Sequence, residues 1–207
     1  MHSPKWLQWA QQIQALAQSG LQYTQNPFDA ERYKELRHIA AEIVAAKTES
    51  DLGEVLPVFE VQSGYATPKL DVRGVVFRGE KILLVRELSD NGNWTLPGGW
   101  VDVNSTPSHA VEKEMREEAG IIVKAEKLLA VYDRNLHGHP PYPFHTWKLF
   151  FLCRLIADAT PDPLETAEPT YFGERDLPQL SIDRVTEEEI HRLFEHLRNP
   201  DLPTDFD

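Results

Sequence analysis

Apolar side chains recur at every third or fourth position through the first 60 residues, the spacing of amphipathic helices. Ser3-Pro4 is typical of a helix start and Gly20 of a helix end, and Asn26-Pro27 begins a second segment of the same kind. The apolar positions are Trp6, Trp9, Ala10, Ile13, Leu16 and Ala17 in the first segment and Leu36, Ile39, Ala40, Ile43 and Val44 in the second. Two helices of this size cannot bury their own apolar stripes. We therefore expect them to pack on the downstream domain, on a second subunit or on both. The two tryptophans favour a dimer contact.

The pattern changes to strands after a transition over residues 47–67, in which a short third helix is predicted around 51–59. Residues 71–77 and 81–86 are rich in β-formers and flank a turn at 78–80, which predicts a hairpin. Two further strands are expected at 121–132 and 145–155. Thr186 begins a capping box that opens a last helix, ending near Leu197. The order predicts a layered α+β fold, with a small helical domain over residues 1–62 and a second domain over residues 63–207.

A short acidic helix lies between the two pairs of strands. A turn at Gly98-Gly99 precedes it, and it extends from Pro107 to Ala119. Its glutamates, Glu114, Glu117 and Glu118, have the i, i+3, i+4 spacing that places side chains on one helical face. Three carboxylates on one face repel each other, which favours a hard divalent cation among them. Mg²⁺ prefers oxygen ligands and commonly combines carboxylates with substrate phosphates.

Charge and composition narrow the classes of partner. The 207 residues have a formal net charge of −12, and no Lys/Arg run offsets it, so a nucleic-acid partner is disfavoured. Cys153 is the one cysteine, which fits a reducing compartment, and it lies in an apolar strand where a core role is expected. Neither a secretory signal nor an apolar run of membrane-spanning length is present. We expect a soluble, cytoplasmic protein that does not contact a membrane.

The stretch from Gly99 to Ile121 resembles the Nudix box. That signature is a glycine, five residues, a glutamate, seven residues, and then Arg-Glu-apolar-any-Glu-Glu-any-Gly-apolar. Gly99, the three helix glutamates, Met115, Gly120 and Ile121 match it. Ser105 stands where the family has its first glutamate, and Lys113 stands where it has the arginine. The resemblance implies a Nudix fold, an α/β/α sandwich with a mixed sheet. Lys113 keeps the charge but loses the planar fork of donors.

The resemblance extends over nearly the whole chain, to one Nudix subgroup with an N-terminal helical extension. This wider resemblance rests on the N-terminal sequence, including Pro-Phe-Asp-Ala-Glu-Arg-Tyr, and on residues 65–73. This subgroup hydrolyses nucleoside diphosphates linked to another moiety, such as ADP-ribose or CDP-choline. The resemblance implies a homodimeric pyrophosphatase that needs Mg²⁺, with Mn²⁺ as an alternative. It also implies that Glu114, Glu117 and Glu118 are the metal ligands and that the Gly99 carbonyl is a further one.

The catalytic base is left open. Nudix enzymes often recruit a glutamate from a loop after the later strands, and Glu165 and Glu168 are the candidates here. Each alone also fits a solvated loop charge. Glu117 or Glu118 is the alternative base.

Four further side chains are predicted to contact the substrate. Arg73 and Arg86 have the forked donors that clamp phosphates, and surface ion pairs are the equal alternative. Trp94 fits a contact with the base or simple packing of the turn. His139 lies in a His-, Pro- and Gly-rich loop that resembles the subgroup's substrate-binding region.

The leading function is hydrolysis of a nucleoside diphosphate linked to a second group, through attack of an activated water on phosphorus. An alternative enzymatic function is hydrolysis of RNA ends or nucleoside triphosphates. A different class is a nucleotide sensor without catalysis, to which the changes at Ser105 and Lys113 give some weight.

Overall fold

The computed structural model describes residues 4–159 and 166–207, except for the side chains of 166–168. The chain forms two compact units. One comprises the chain up to Lys69 together with Pro141–His145, and the other comprises Leu70–Pro140 and Thr146–Asp207.

Three helices form the first unit: α1 (Lys5–Tyr23), α2 (Pro27–Thr48) and α3 (Leu52–Glu60). The Asn26 side chain caps α2 by accepting from the backbone N–H of Phe28 at 2.9 Å, as its position predicts. The prediction that Gly20 ends the first helix is wrong, because α1 continues for three residues. A Cβ at this position would collide with the ring of Tyr33 on α2, so the glycine serves close helix packing.

The apolar residues of these helices divide into two sets. Ala10, Ala40 and Phe59 are completely buried and centre a core shared by the three helices. Trp9 and Leu16, placed by the sequence on the same stripe, are instead 59% and 60% exposed. The first unit thus keeps an apolar outer surface on α1.

Two four-stranded sheets form the second unit. The first has the order β1-β6-β5-β8, and in the second β3 pairs with β2, β4 and β7. β5 is antiparallel to β6 and parallel to β8, so the first sheet is mixed. The strands are β1 (Lys69–Val75), β2 (Phe77–Arg78), β3 (Lys81–Glu87), β4 (Asn93–Thr95), β5 (Ile121–Asp133), β6 (Thr146–Asp158), β7 (Thr166–Gly173) and β8 (Asp205–Phe206). The two long strands are confirmed. The predicted hairpin of 71–77 with 81–86 is confirmed only at its turn, where β2 pairs with β3, because residues 69–75 form β1 in the other sheet. Strands β4, β7 and β8 are additions to the prediction.

Helices α4 (Pro107–Ala119) and α5 (Glu187–Arg198) cover opposite faces of these sheets. Strand β3 shows the division, since successive side chains of a strand point to opposite faces. Leu83 and Val85 pack with α4, whereas Ile82 and Leu84 pack with α5. This confirms the α/β/α arrangement with a mixed sheet.

Cys153 is buried in the cluster under α4, and burial raises the pKa of its thiol to about 12. The predicted core role for this cysteine is confirmed. Among the described residues, the structure has no helix that is long and apolar enough to span a membrane.

Candidate metal and phosphate site

A sharp glycine turn leads from β4 toward α4 and lies against β1. Gly98 has a φ of +146°, and a Cβ there would collide with the carbonyl oxygen of Val72. Only glycine meets both conditions. The Val72 N–H donates to the Gly99 carbonyl at 2.9 Å, which fixes the turn on β1.

Helix α4 has the boundaries that its sequence predicts. The Thr106 side chain accepts from the backbone N–H of His109, Pro107 is the first helical residue, and Gly120 ends the helix with a φ of 61°. These are the standard chemistries of a helix start and end. They set the helical register that aims the glutamates.

Two of the three predicted glutamates meet the glycine turn. The backbone N–H of Gly98 donates to Glu118 Oε2 at 2.8 Å, and the Glu118 side chain is buried. The Glu114 carboxylate lies beside Gly99, since a Cβ built on that glycine would be 3.4 Å from Glu114 Oε2. Two hard oxygen donors therefore face the same turn of backbone.

Glu117 faces a different set of neighbours. Its carboxylate lies 3.1 Å from Arg116 Nη2 and 3.8 Å from Lys113 Nζ, and its side chain is about one-third exposed. Within the described part of the chain, no three His, Cys, Asp or Glu side chains converge closely enough to hold a metal ion. The structure thus brings Glu114 and Glu118 together at the turn and leaves Glu117 on the adjacent surface of α4.

The charge of Glu118 is poorly solvated. Burial raises the pKa of Glu118 to about 8, against the opposing effects of the Gly98 N–H and the Arg73 guanidinium, and the charges of Glu114 and Glu87 add to the rise. Perturbed carboxylates of this kind concentrate at functional sites. A carboxylate so placed gains strongly from a nearby positive charge.

The two positions that depart from the box have defined local contacts. Lys113 Nζ lies 3.2 Å from Asp102 Oδ2, in the loop before α4. The Ser105 hydroxyl lies 3.3 Å from Nδ1 of His109. The carboxylate nearest to Lys113 in the loop before α4 therefore comes from Asp102, three residues before Ser105.

Arg73 is buried, with 6% of the residue exposed. Its Nε and Nη2 donate to the two oxygens of Asp71 at 2.9 and 2.8 Å, and its Nη1 donates to the Leu96 carbonyl at 3.1 Å. Direct contact of Arg73 with a phosphate would require these buried bonds to break. The sequence left two roles open for Arg73, phosphate contact and a surface ion pair. In the structure Arg73 forms an ion pair with Asp71, and that pair is buried.

Arg86 and Trp94 lie opposite each other on β3 and β4, and directly paired residues share one face of a sheet. Trp94 packs edge-on against Phe172 at 4.8 Å in the cluster under α5. Arg86 is exposed, and its Nε donates to the Gly92 carbonyl at 3.2 Å. The backbone register therefore directs these two side chains away from the face that carries α4.

The His139 side chain is buried, and both ring nitrogens have partners inside the protein. Nδ1 lies 2.7 Å from the Ile182 carbonyl, and Nε2 lies 3.0 Å from Glu189 Oε1. Burial lowers the pKa of His139, and the bond to Glu189 opposes that effect. A substrate contact through either nitrogen would require this arrangement to open.

His139 belongs to a group of buried side chains whose nitrogens bond three consecutive backbone carbonyls. Arg134 donates to the Asp183 carbonyl at 3.2 and 3.3 Å, and Lys148 donates to the Arg184 carbonyl. Glu189 is the central anion, 3.6 Å from Lys148 Nζ. Ionised side chains are rarely buried without such pairing. This network fixes the loop before α5.

Sequence reasoning missed Asp71, Asp102 and Glu87. Asp71 and Arg73 are two residues apart on a predicted strand and so share a face, which is a signal that the sequence contains. Glu87 is buried at the end of β3 and pairs with Arg184 at 3.2 Å, a contact between distant segments that no local pattern indicates. Of the candidate bases, Glu165 and the side chain of Glu168 lie outside the described residues.

Comparisons with known proteins identify the family. The NUDIX domain model matches residues 67–194, and the model described as a UDP-X-like N-terminal oligomerisation domain matches residues 4–59. The chain belongs to the Nudix family and is a Nudix hydrolase, a class that generally uses divalent metals.

Individual relatives show which Nudix hydrolases this chain is similar to. "Putative ADP-ribose pyrophosphatase YjhB" of Bacillus subtilis is 42% identical over 203 residues, which cover 98% of this chain and 97% of that protein. A solved ADP-ribose pyrophosphatase from Streptococcus suis is 39% identical with a TM-score of 0.61, covering 68% of this chain and all of that one. The crystal structure of a UDP-X diphosphatase is 34% identical with a TM-score of 0.63 and covers both chains completely.

Proposed function

We propose that this protein hydrolyses the pyrophosphate bond of a nucleoside diphosphate linked to a second group, giving a nucleoside monophosphate and the phosphate of that group. Mg²⁺ is the proposed cofactor, with Mn²⁺ as the alternative. The observation that carries the proposal is the approach of Glu114 and Glu118 to the glycine turn of the Nudix box. The names of the relatives support ADP-ribose or a UDP-linked compound. CDP-choline is a further candidate substrate, from the subgroup resemblance.

The donor set fits a hard cation. Mg²⁺ in proteins is commonly held by one or two carboxylates, with water and substrate phosphates completing its shell. Glu114 and Glu118 would supply those carboxylates, and Glu117 would join by turning from its contacts with Lys113 and Arg116. The Gly99 carbonyl is the proposed fourth ligand. It already accepts from Val72, but a carbonyl oxygen has a second lone pair.

The site would act mainly through charge and position. A bound divalent cation supplies neutralisation of the diphosphate oxygens and a lowered pKa for the attacking water. The chain's own contribution is a preorganised turn: Gly98 allows close backbone approach, and the Gly98 N–H holds Glu118 in place. The proton of the water would pass to Glu165 or Glu168, or to Glu117 or Glu118. Thr166, next to Glu165, pairs with Glu87 at the end of β3.

The four side chains predicted to contact the substrate differ in how well the structure supports that role. Arg86 is exposed and Trp94 is half-buried, but both side chains point away from the face of β3 and β4 that carries α4. Arg73 and His139 are buried and bonded internally. For these two residues, a role in shaping the site is better supported than direct contact.

We also propose that the protein is a cytoplasmic homodimer that contacts its partner through the helical extension. The match of residues 4–59 to an oligomerisation domain supports this assembly. So do four large apolar side chains on α1 and α2 that are more than half exposed: Trp9, Leu16, Tyr23 and Phe28.

The test is a substrate panel with Mg²⁺: ADP-ribose, UDP- and CDP-linked compounds, nucleoside triphosphates and 5′-triphosphate RNA. We expect turnover of at least one diphosphate-linked compound, with the nucleoside monophosphate as product. Turnover of triphosphates or RNA alone would show that the protein is instead a hydrolase of nucleoside triphosphates or RNA ends. Binding of nucleotides without turnover of any would instead favour the sensor.

A further inference from the structure

The loop between the glycine turn and α4 contributes an acidic side chain at a position the Nudix box does not specify. Asp102 Oδ2 lies 3.2 Å from Lys113 Nζ, and Lys113 Nζ lies 3.8 Å from Glu117 Oε2. The ammonium group thus lies between two carboxylates, one in the loop and one on the helix. The shorter distance is to Asp102.

The local backbone explains why residue 102 holds this position. The Ser105 N–H donates to the Asp102 carbonyl at 3.1 Å, and Asn104 between them has a φ of 67°, a conformation that asparagine tolerates well. This turn brings Asp102 toward α4, while the Ser105 hydroxyl contacts His109. The turn therefore places a carboxylate from residue 102 beside Lys113.

Lys113 and Glu117 are one helical turn apart, and a lysine and a glutamate at this spacing attract each other. An ammonium group paired with Glu117 would compete with a divalent cation for the same oxygens. A second carboxylate on the other side of Lys113 reduces that competition, because the ammonium has a closer partner.

We infer that Asp102 is a positioning residue that holds the Lys113 ammonium away from Glu117 and so keeps Glu117 Oε2, the oxygen that faces Lys113 and not Arg116, available to a divalent cation. This inference rests on the proposed function, since it takes Glu117 as a ligand. Asp102 acts through Lys113 and does not itself contact the cation or the substrate.

The test is a double-mutant cycle on the full chain, with Mn²⁺ binding measured without substrate by electron paramagnetic resonance of the free ion. We expect Asp102→Asn to weaken Mn²⁺ binding about threefold, the scale of an exposed ion pair. In the Asp102→Asn background, we expect Lys113→Gln to restore the affinity. In the wild-type background, Lys113→Gln should change it by a smaller factor, because Asp102 already holds the ammonium.

Two controls separate this mechanism from a general effect of charge or folding. Glu126→Gln removes another half-exposed carboxylate that pairs with an arginine, and it should leave Mn²⁺ affinity within about 1.5-fold of wild type. The Asp102 side chain is 71% exposed, so the variants should fold, and thermal melting checks this. Additive effects in the cycle, or unchanged affinity in Asp102→Asn, would overturn the inference. Absence of Mn²⁺ binding in the wild type would instead reject the proposed metal site.

Discussion

Glu189 is the anion on which the buried network before α5 depends, and its replacement by glutamine has a calculable cost. Burial alone would raise the pKa of Glu189, but the charge of Lys148 and the hydrogen bond from His139 lower it to about 2, from a usual value of 4.5. At about 1.4 kcal/mol for each pH unit between these values, the ionised carboxylate contributes about 3 kcal/mol at neutral pH. Removing one partner of a buried pair costs about 3–5 kcal/mol.

We therefore expect Glu189→Gln to lower the free energy of unfolding by about 3 kcal/mol, or the Tm by roughly 6–12 °C for a domain of this size. The matched control is Glu188→Gln, the same chemical change one residue earlier in the same helical turn but on an exposed side chain. It should change stability by less than about 1 kcal/mol, since only its interaction with the helix dipole is lost.

The dependence of stability on pH gives a second test, because the direction of the change follows from the lowered pKa of Glu189. The folded-state pKa of Glu189 lies below the unfolded value, so its contribution is complete above pH 4.5 and is lost as the pH falls toward 2. The stability difference between wild type and Glu189→Gln should accordingly shrink over that window. Equal losses in Glu189→Gln and Glu188→Gln, or a difference that does not change between pH 5 and pH 2.5, would refute the reasoning.

Three other outcomes follow from the site and the helical extension. Glu117→Gln should nearly abolish turnover of the best substrate, because it removes a proposed metal ligand. Glu112→Gln on the same helix should retain most activity, because Glu112 pairs with Lys124 instead. Gly98→Ala should lower the Tm more than Gly138→Ala. Both have a positive φ, but only at Gly98 would the added Cβ also collide with the backbone of β1. Trp9→Glu should shift the protein from dimer to monomer in sedimentation, whereas replacing an exposed glutamine of α1 should not. A monomeric wild type would contradict the assembly.

Some features of this protein are fixed by residues that are close together in the chain. Helix α4 begins and ends where Thr106, Pro107 and Gly120 predict, because capping depends on backbone groups within one turn. The turn that joins β2 to β3 and the capping box of α5 are confirmed for the same reason, whereas the rest of the strand predicted over 71–77 lies in the other sheet as β1. The spacing of the glutamates, together with Gly99, Met115, Gly120 and Ile121, indicates the family from local sequence.

Other features depend on contacts between distant segments, which a local pattern does not contain. Glycine is typical of a helix end, but Gly20 lies inside α1, where the ring of Tyr33 on the neighbouring helix leaves no room for a Cβ. Strands β4 and β8 have only three and two residues, and they exist through their pairing partners.

The environments of the charged side chains were decided by the tertiary structure in the same way. The sequence makes Arg73 and His139 candidates for substrate contact, with an ion pair as the equal alternative for Arg73. In the structure their nitrogens instead bond to Asp71, Leu96, Ile182 and Glu189 in the interior. Residue order determined which ionisable groups the chain has and how those within one helix are aligned. Burial and the partners brought by folding determined which of them are charged, bonded or exposed, because the energy of a charge depends on everything within several ångströms of it.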